Sequence, residues 1–488
     1  MPSRRARAVR LLVVAAAAVL PYLNALGAGW AFDDAGLVVG NPMATPGMSA
    51  LAWFGRPSAT GSLYRPLTMV TYALVDAAGG GARAQHALNV VLHAATSVAV
   101  LLLGDVVLRS PRAAVGAALV FALHPVHTEA VANVAGRAEL LAALGVVVAL
   151  VAFARGARGP ALAAFAAGVL AKESAFTGLV LAALVARWTA RRGRSAALAA
   201  LGPWVVVAGA ALALRATVVG ALGLAEPPPF VDNPLAWVSP PARLATALVV
   251  LVQYLGTLAV PIRLSADESF DQVPVVHAAT DPRLLLATGV LAALALGVVA
   301  ARRRAPVLAF AAAFFVAALA VTANVVVPIG TIKAERLLYL PSVGWCLACG
   351  WAGRWLVVRH QAPGAAVVAA LLVSFAARTW VRNADWHDEY ALFTATVAAS
   401  PMSARAHANA AAVHANAGEL ASAFAHYKAA LRILPTYAPA ALGLGQIAEA
   451  RGQWARAVAW YARALVLDPT LARAAARRAA LLARVRGG

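Results

Sequence analysis

Charge is scarce in this 488-residue chain: Asp, Glu, Lys and Arg together make up 12% of it, against roughly 25% in soluble domains. With 62% hydrophobic residues and a mean hydropathy of +0.76, a soluble globule could not bury the apolar surface, and the same figures exclude disorder. Acidic residues are the scarcest charges, 20 against 41 Lys and Arg, which leaves a net charge of +21. In a soluble protein that excess would point to nucleic acid. Here the basic residues collect in short loops between apolar runs and read as a topology signal, so nucleic acid is not expected as a partner. There are only two cysteines, Cys346 and Cys349, one helical turn apart in an apolar stretch. They read as small packing residues and not as a redox or metal pair. Gly79-Gly80-Gly81 lacks the Lys-Ser/Thr that would complete a P-loop, so use of nucleotides or nucleotide sugars has no support. No motif demands a cofactor, and a divalent metal is left open.

Long apolar runs are abundant. They lie at 11–26, 87–103, 113–123, 140–154, 161–170, 176–186, 196–214, 244–260, 284–301, 306–321, 337–351 and 365–377. Several fall short of the roughly 20 residues that cross about 30 Å of hydrocarbon and must borrow flanking residues. Arg4, Arg5, Arg7 and Arg10 precede the first run, which reads as an uncleaved span with its N-terminus in the cytoplasm. Arginine-rich short loops at 109–112, 155–158, 187–194, 302–304 and 354–359 should share that side. Strict alternation fails if 244–260 also crosses, because the 302–304 cluster would then face out. Making 244–260 a re-entrant or interfacial helix repairs this, leaving about eleven crossings and an external C-terminus. The expected fold is all-α: a polytopic membrane helical bundle.

Beyond residue 377 the composition turns polar and then repeats. Segments 403–436 and 437–470 align in register, with Gly418 on Gly452, Tyr427 on Tyr461, Ala430 on Ala464 and Pro435 on Pro469. Thirty-four residues is the tetratricopeptide period of two antiparallel helices per unit, and such units stack into a solenoid. The stretch 471–488 reads as a basic capping helix. The expected division is a transmembrane domain over 1–381, with a first external loop at 27–86, and an external repeat domain over 382–488.

Several polar groups stand out against this apolar background. Asp33 and Asp34 follow the first span, and adjacent carboxylates at a membrane exit suit proton removal from a hydroxyl. His124, His127 and Glu129 form a polar cluster that could also hold a metal, although the His-Glu-x-x-His order of zinc peptidases is absent. Arg137, Glu139, Lys172 and Glu173 lie in or beside apolar runs, where charges face a cavity and pair with one another. Lys333, Glu335 and Arg336 set two cations beside one acid at the lipid surface, a composition suited to a phosphate head group.

Taken in order, the motifs resemble those of the transmembrane and tetratricopeptide-repeat containing proteins, an O-mannosyltransferase family with a GT-C fold. The matching stretches are Phe32-Asp-Asp34, Tyr64-Arg-Pro-Leu-Thr68, His86-Ala-Leu-Asn-Val-Val-Leu-His93, Phe121-Ala-Leu-His-Pro-Val-His-Thr-Glu-Ala130, Asn133-Val-Ala-Gly-Arg-Ala-Glu-Leu-Leu141, Lys172-Glu-Ser174, Leu264-Ser-Ala-Asp267 and Ala334-Glu-Arg-Leu-Leu-Tyr-Leu-Pro-Ser342. The resemblance implies a polyprenyl-phosphate-linked sugar donor and inverting transfer to Ser or Thr hydroxyls of a protein on the external face. It implies Asp33 or Asp34 as general base, with Lys333 and Arg336 as candidates to hold the departing phosphate. Arg65, Arg137, Glu139, Lys172, Glu173 and Glu335 would hold that phosphate or line the cavity around it. The high Ala and Arg content and compact size suggest a bacterial relative, lodged in the inner or plasma membrane among its lipids. The repeats are expected to present an acceptor polypeptide and take no part in bond making. The rival reading is a non-catalytic, membrane-anchored repeat scaffold for envelope assembly, which would have no use for charges inside its spans.

Overall fold

The computed structural model describes residues 4–45, 47–58, 63–189, 199–220, 227–325 and 327–487. Among these the chain is helical, with no β-strand. Within the described residues, the twelve apolar runs fall on helices, and the run at 196–214 begins outside them. By length and composition alone, however, seven helices among the described residues could cross a membrane, or eight if the bent pair Pro111–Leu123 and Pro125–Val131 is one span. This is fewer than the eleven read from the alternation, even though Pro240–Ala259 is now among them, and Gly178–Thr189 with 12 residues is one that drops out. Arg158–Ala171 and Pro306–Leu319 are apolar but have only 14 residues each. The last two runs share one continuous element, Ser342–Asp385.

That element is broken. Gln361 has a φ of 47° and ψ of −118°, Pro363 follows, and the chain turns back. A Cβ on Gly353 would lie 3.5 Å from the Val368 side chain, whereas on one straight helix these residues would be about 22 Å apart. The result is a helical hairpin whose first arm is seated on Pro111–Leu123. A Cβ on Gly350 would come within 2.4 Å of the Ala113 carbonyl, so only glycine permits this approach. Gly145 is equally confined by Ala164 and Gly168. With little hydrophobic drive between helices in lipid, backbone contact at small residues is what holds such pairs together.

The hydrogen bonds sort the loops to the two ends of the bundle. Gly29 N–H donates to the His387 carbonyl at 2.8 Å, and Asn383 donates to the Pro21 carbonyl at 2.7 Å. The exit of the first helix and the exit of the last therefore share one end. Arg10 pairs with Asp105 at 2.8 Å at the other. Pro240–Ala259 is unbroken over 20 residues, so the re-entrant form expected for 244–260 does not hold. Although long enough to cross, it starts and finishes at the Asp33 end. Asn233 before it bonds Asn324 and the Ile329 carbonyl, and the Leu258 carbonyl near its end meets His124 Nε2 at 2.9 Å. It lies across that end, with Tyr254 bonded to the Ala334 carbonyl.

The C-terminal helices are Glu389–Ala399, Ala404–Asn416, Leu420–Ile433, Ala438–Ala450, Trp454–Leu467 and Ala472–Gly487. Gly418 and Gly452, with φ of 80° and 68°, reverse the chain within each unit. Tyr427 fills the space left by Gly443, and Tyr461 the space left by Gly445. The last bundle helix runs to Asp385, so the polar segment begins inside it. We expect single cysteines at Ala78 and Asn416 to react with an impermeant maleimide from one side of sealed vesicles, and cysteines at Arg155 and Arg303 only from the other. Labelling of Asn416 and Arg303 from the same side would contradict this two-ended arrangement.

Candidate active site

The site forms where the first loop leaves its helix. Phe32 has a φ of 57°, a left-handed conformation that costs a non-glycine residue about 1 kcal/mol or more. Its ring is held edge-on by Trp386 and Phe393, with centroids 6.4 and 6.2 Å away. This turn sends the two neighbouring carboxylates to different places.

Asp34 is fully buried and accepts N–H bonds from Ala31 at 3.2 Å and Ala135 at 2.7 Å. It clamps the first loop onto the 133–136 turn. Burial pushes its carboxyl up to about 7, against the lowering effect of those N–H groups. Asp33 is half-buried and has no side-chain hydrogen bond or ion pair among the described residues. It lines a polar cavity of 180 Å³ together with Phe32, Asp267, Thr331, Arg336 and Arg405.

Of the eight residues expected to hold phosphate or line the cavity, Arg336 alone reaches this space. Its guanidinium pairs with Glu129, and its N–H donates to the same carboxylate at 2.8 Å. Burial opposes the charge on Arg336, but Glu129 and Asp33 hold it ionised. The others do not line it, and most of them are engaged in ion pairs of their own. Lys172 donates to Glu139 at 2.5 Å, and Ser174 donates to the second oxygen at 3.2 Å. Arg65 and Arg215 grip Glu173 at 2.8 and 2.9 Å. Lys333 meets Glu268 at 2.6 Å. Arg137 is buried, donating to Asn89 and to the Gln85 carbonyl while stacking over Tyr72 at 4.5 Å. Glu335 accepts from the Ser265 N–H and lies 4.0 Å from Arg382; burial raises its carboxyl to about 8.

The metal form of the histidine cluster is not supported. His124 spends its nitrogens on the Leu258 carbonyl and the Val126 N–H, and His127 on the Phe121 carbonyl and Ser342. Glu129 turns to Arg336, so the three ligands do not converge, and no group of metal ligands occurs among the described residues. The contacts made by the two histidines form a hydrogen-bonded brace between helix ends.

Sequence reasoning passed over Asp232 and Arg405, and quoted Asp267 in a family-like stretch without giving it a role. Arg405 belongs to Ala404–Asn416, the first repeat helix, yet it reaches the cavity. A repeat side chain therefore lines the cavity. One sequence signal could have marked it: position 405 is Arg where the next unit, in register, has Pro439.

The proton on Asp34 sets a pH dependence. Unfolded, its carboxyl loses a proton near 3.8; folded, it keeps one to about 7. The folded chain thus binds the extra proton across that window, and stability falls as pH rises through it. Thermal melts in detergent should show this fall, and Asp34→Asn should reduce its slope relative to the parent.

Residues 225–295 match the family described as Protein O-mannosyl-transferase TMTC, DUF1736. The chain is 26% identical to Protein O-mannosyl-transferase F38B6.6 of Caenorhabditis elegans, over 89% of this chain and 64% of that protein. It is 28% identical to human Protein O-mannosyl-transferase TMTC4, over 85% of this chain and 65% of the relative. It is 32% identical to Drosophila melanogaster Protein O-mannosyl-transferase Tmtc2, over 54% and 30%. The chain thus spans less than two thirds of the length of these relatives. The family match covers the segment that closes over the cavity, and the wider similarity runs through bundle and repeats alike. The chain is thus similar to the transmembrane and tetratricopeptide-repeat containing O-mannosyl-transferases over most of its length.

Proposed function

We propose that this chain transfers a mannose-like sugar from a polyprenyl-phosphate donor to Ser or Thr hydroxyls of a protein acceptor on the external face of the membrane. The observation that carries the reading is Asp33: an unpaired, half-buried carboxylate facing a small polar cavity beside a held cation, at the end of an apolar bundle. Its relatives bear the name of protein O-mannosyl-transferases, which is consistent with that chemistry.

In the proposed step Asp33 takes the proton of the acceptor hydroxyl as its oxygen attacks the anomeric carbon. The bond from that carbon to the carrier phosphate breaks, and the phosphate leaves with the electron pair, facing Arg336. One displacement inverts the sugar carbon. Asp34 takes no direct part, because both its oxygens are committed to backbone N–H groups. The C-terminal helices form a stacked surface at the same end and are suited to hold an extended acceptor polypeptide. A passive anchor accounts less well for Glu139 with Lys172, or for Arg65 and Arg215 around Glu173, since buried charges are costly to maintain.

The test is transfer of mannose from polyprenyl-phosphate-mannose to a Ser/Thr peptide in proteoliposomes. Asp33→Asn should cost on the order of 100-fold or more in rate while the protein still inserts. Asp34→Asn should retain more activity than Asp33→Asn. Full activity of Asp33→Asn would remove the base from this scheme.

A further inference from the structure

The segment joining the bundle to its repeats is stitched along the floor of the cavity. Ala404 N–H donates to the Phe270 carbonyl at 2.7 Å and Asp271 N–H to the Met402 carbonyl at 2.8 Å. Ser403 is buried and caps its own helix, accepting from the Ala406 N–H at 2.9 Å. Its oxygen lies 2.9 Å from Asp267 and 2.8 Å from Ser269. The carboxylate can only accept, so Ser403 gives Asp267 its one hydrogen and Ser269 must donate to Ser403. This chain of bonds fixes the start of the first repeat helix, and hence Arg405, against the cavity.

Arg405 donates to Asp232 at 2.8 Å, and its Nε lies 3.3 Å from Asp267. Its guanidinium stands 5.5 Å from the Phe32 ring centroid, and it shares the cavity with Asp33. Two carboxylates, Asp33 and Asp267, line the cavity, and a third, Asp232, is brought beside them by Arg405, so like charges repel there. Arg336, the other cation of the cavity, is already matched by Glu129. Lys333 is matched by Glu268.

We propose that Arg405 is a positioning residue for Asp33: the countercharge that the repeats deliver to hold Asp232 and Asp267 beside Asp33 and leave Asp33 open to the cavity. The site is then complete only when the first repeat helix is docked. The groups whose charge meets that of Asp33 are Asp34 beside it, Tyr72, Glu129 with Arg336, Asp232 and Arg405. Arg405 is the member that comes from the repeats. Burial disfavours its charge, yet Asp267, Asp232 and Asp33 together hold it protonated. The catalytic consequence rests on the reading of Asp33 as base; the electrostatic claim does not.

The experiment measures Asp33 itself. A hydrophobic carbodiimide couples to protonated carboxyls, and peptide mass spectrometry of the full-length protein resolves labelling at Asp33 from labelling at Asp34. In Arg405→Gln the pH midpoint of Asp33 labelling should rise by about one unit or more, while Arg405→Lys, which keeps the charge, should retain most of the parental value. Asp34, held by Ala31 and Ala135, is the internal control for an intact loop. A midpoint that does not move in Arg405→Gln, or that moves together with that of Asp34, overturns the proposal. The Asp33→Asn transfer assay separates the two readings. Lost transfer there with an unmoved midpoint here rejects only this inference. Retained transfer there with a moved midpoint rejects only the base.

Discussion

A charge removed from water must bring its countercharge with it, and this constraint organises the end of the bundle where the loops meet. Breaking one partner out of a buried pair costs about 3–5 kcal/mol, because the other is left uncompensated. Glu129 is buried and held by Arg336, which ties the start of one span to the loop before the hairpin. Glu139 and Lys172 join two further helices, and Glu173 joins the first loop to a third through Arg65 and Arg215. The pairs act as fasteners between segments far apart in sequence, and they leave Asp33 as the conspicuous exception. A carboxylate without a bonded partner, in a setting that supplies one to nearly every neighbour, is what gives the cavity its chemical character.

Local pattern carried much of the fold. Apolar runs located the helices, because a segment in lipid must satisfy its backbone within itself. The thirty-four-residue register located the C-terminal units, since Gly418 and Gly452 must occupy equivalent positive-φ turns. The Asp33–Asp34 pair was also legible as a candidate. Which of the two faces the cavity was not, because that depends on the left-handed turn at Phe32 and on an N–H supplied by Ala135, a hundred residues away. The histidines show the same limit from the other direction. His124 and His127 have the composition of a ligand pair, but the carbonyls of Leu258 and Phe121 and the hydroxyl of Ser342 decide their use. Arg405 was the least legible, since its mismatch with Pro439 in the next unit marks the position without saying that it meets Asp232 and Asp267.

The junction between bundle and repeats changes how the two parts relate. Ser400 bonds Ser265, Ser403 bonds Asp267, and the backbones at 402–404 and 270–271 exchange hydrogen bonds. Serine hydroxyls buried in such a seam are stable only while both sides stay in register, for each becomes an unsatisfied polar group if they part. The repeats are therefore continuous with the site through short, directional contacts, and whatever they hold is held at a fixed bearing to Asp33.

The helix Pro240–Ala259 has a bearing on how such a chain could change over time. A segment that returns to the side it left adds nothing to the parity of the path, so every later span keeps its direction whether that helix is long, short or missing. Such a region is free to diversify where an added true crossing would turn the remainder of the protein inside out. In this chain it lies behind the wall of the cavity, where Tyr254 bonds the carbonyl of the lining residue Ala334. The fold thus places its topologically cheapest element where reshaping a binding space would matter most.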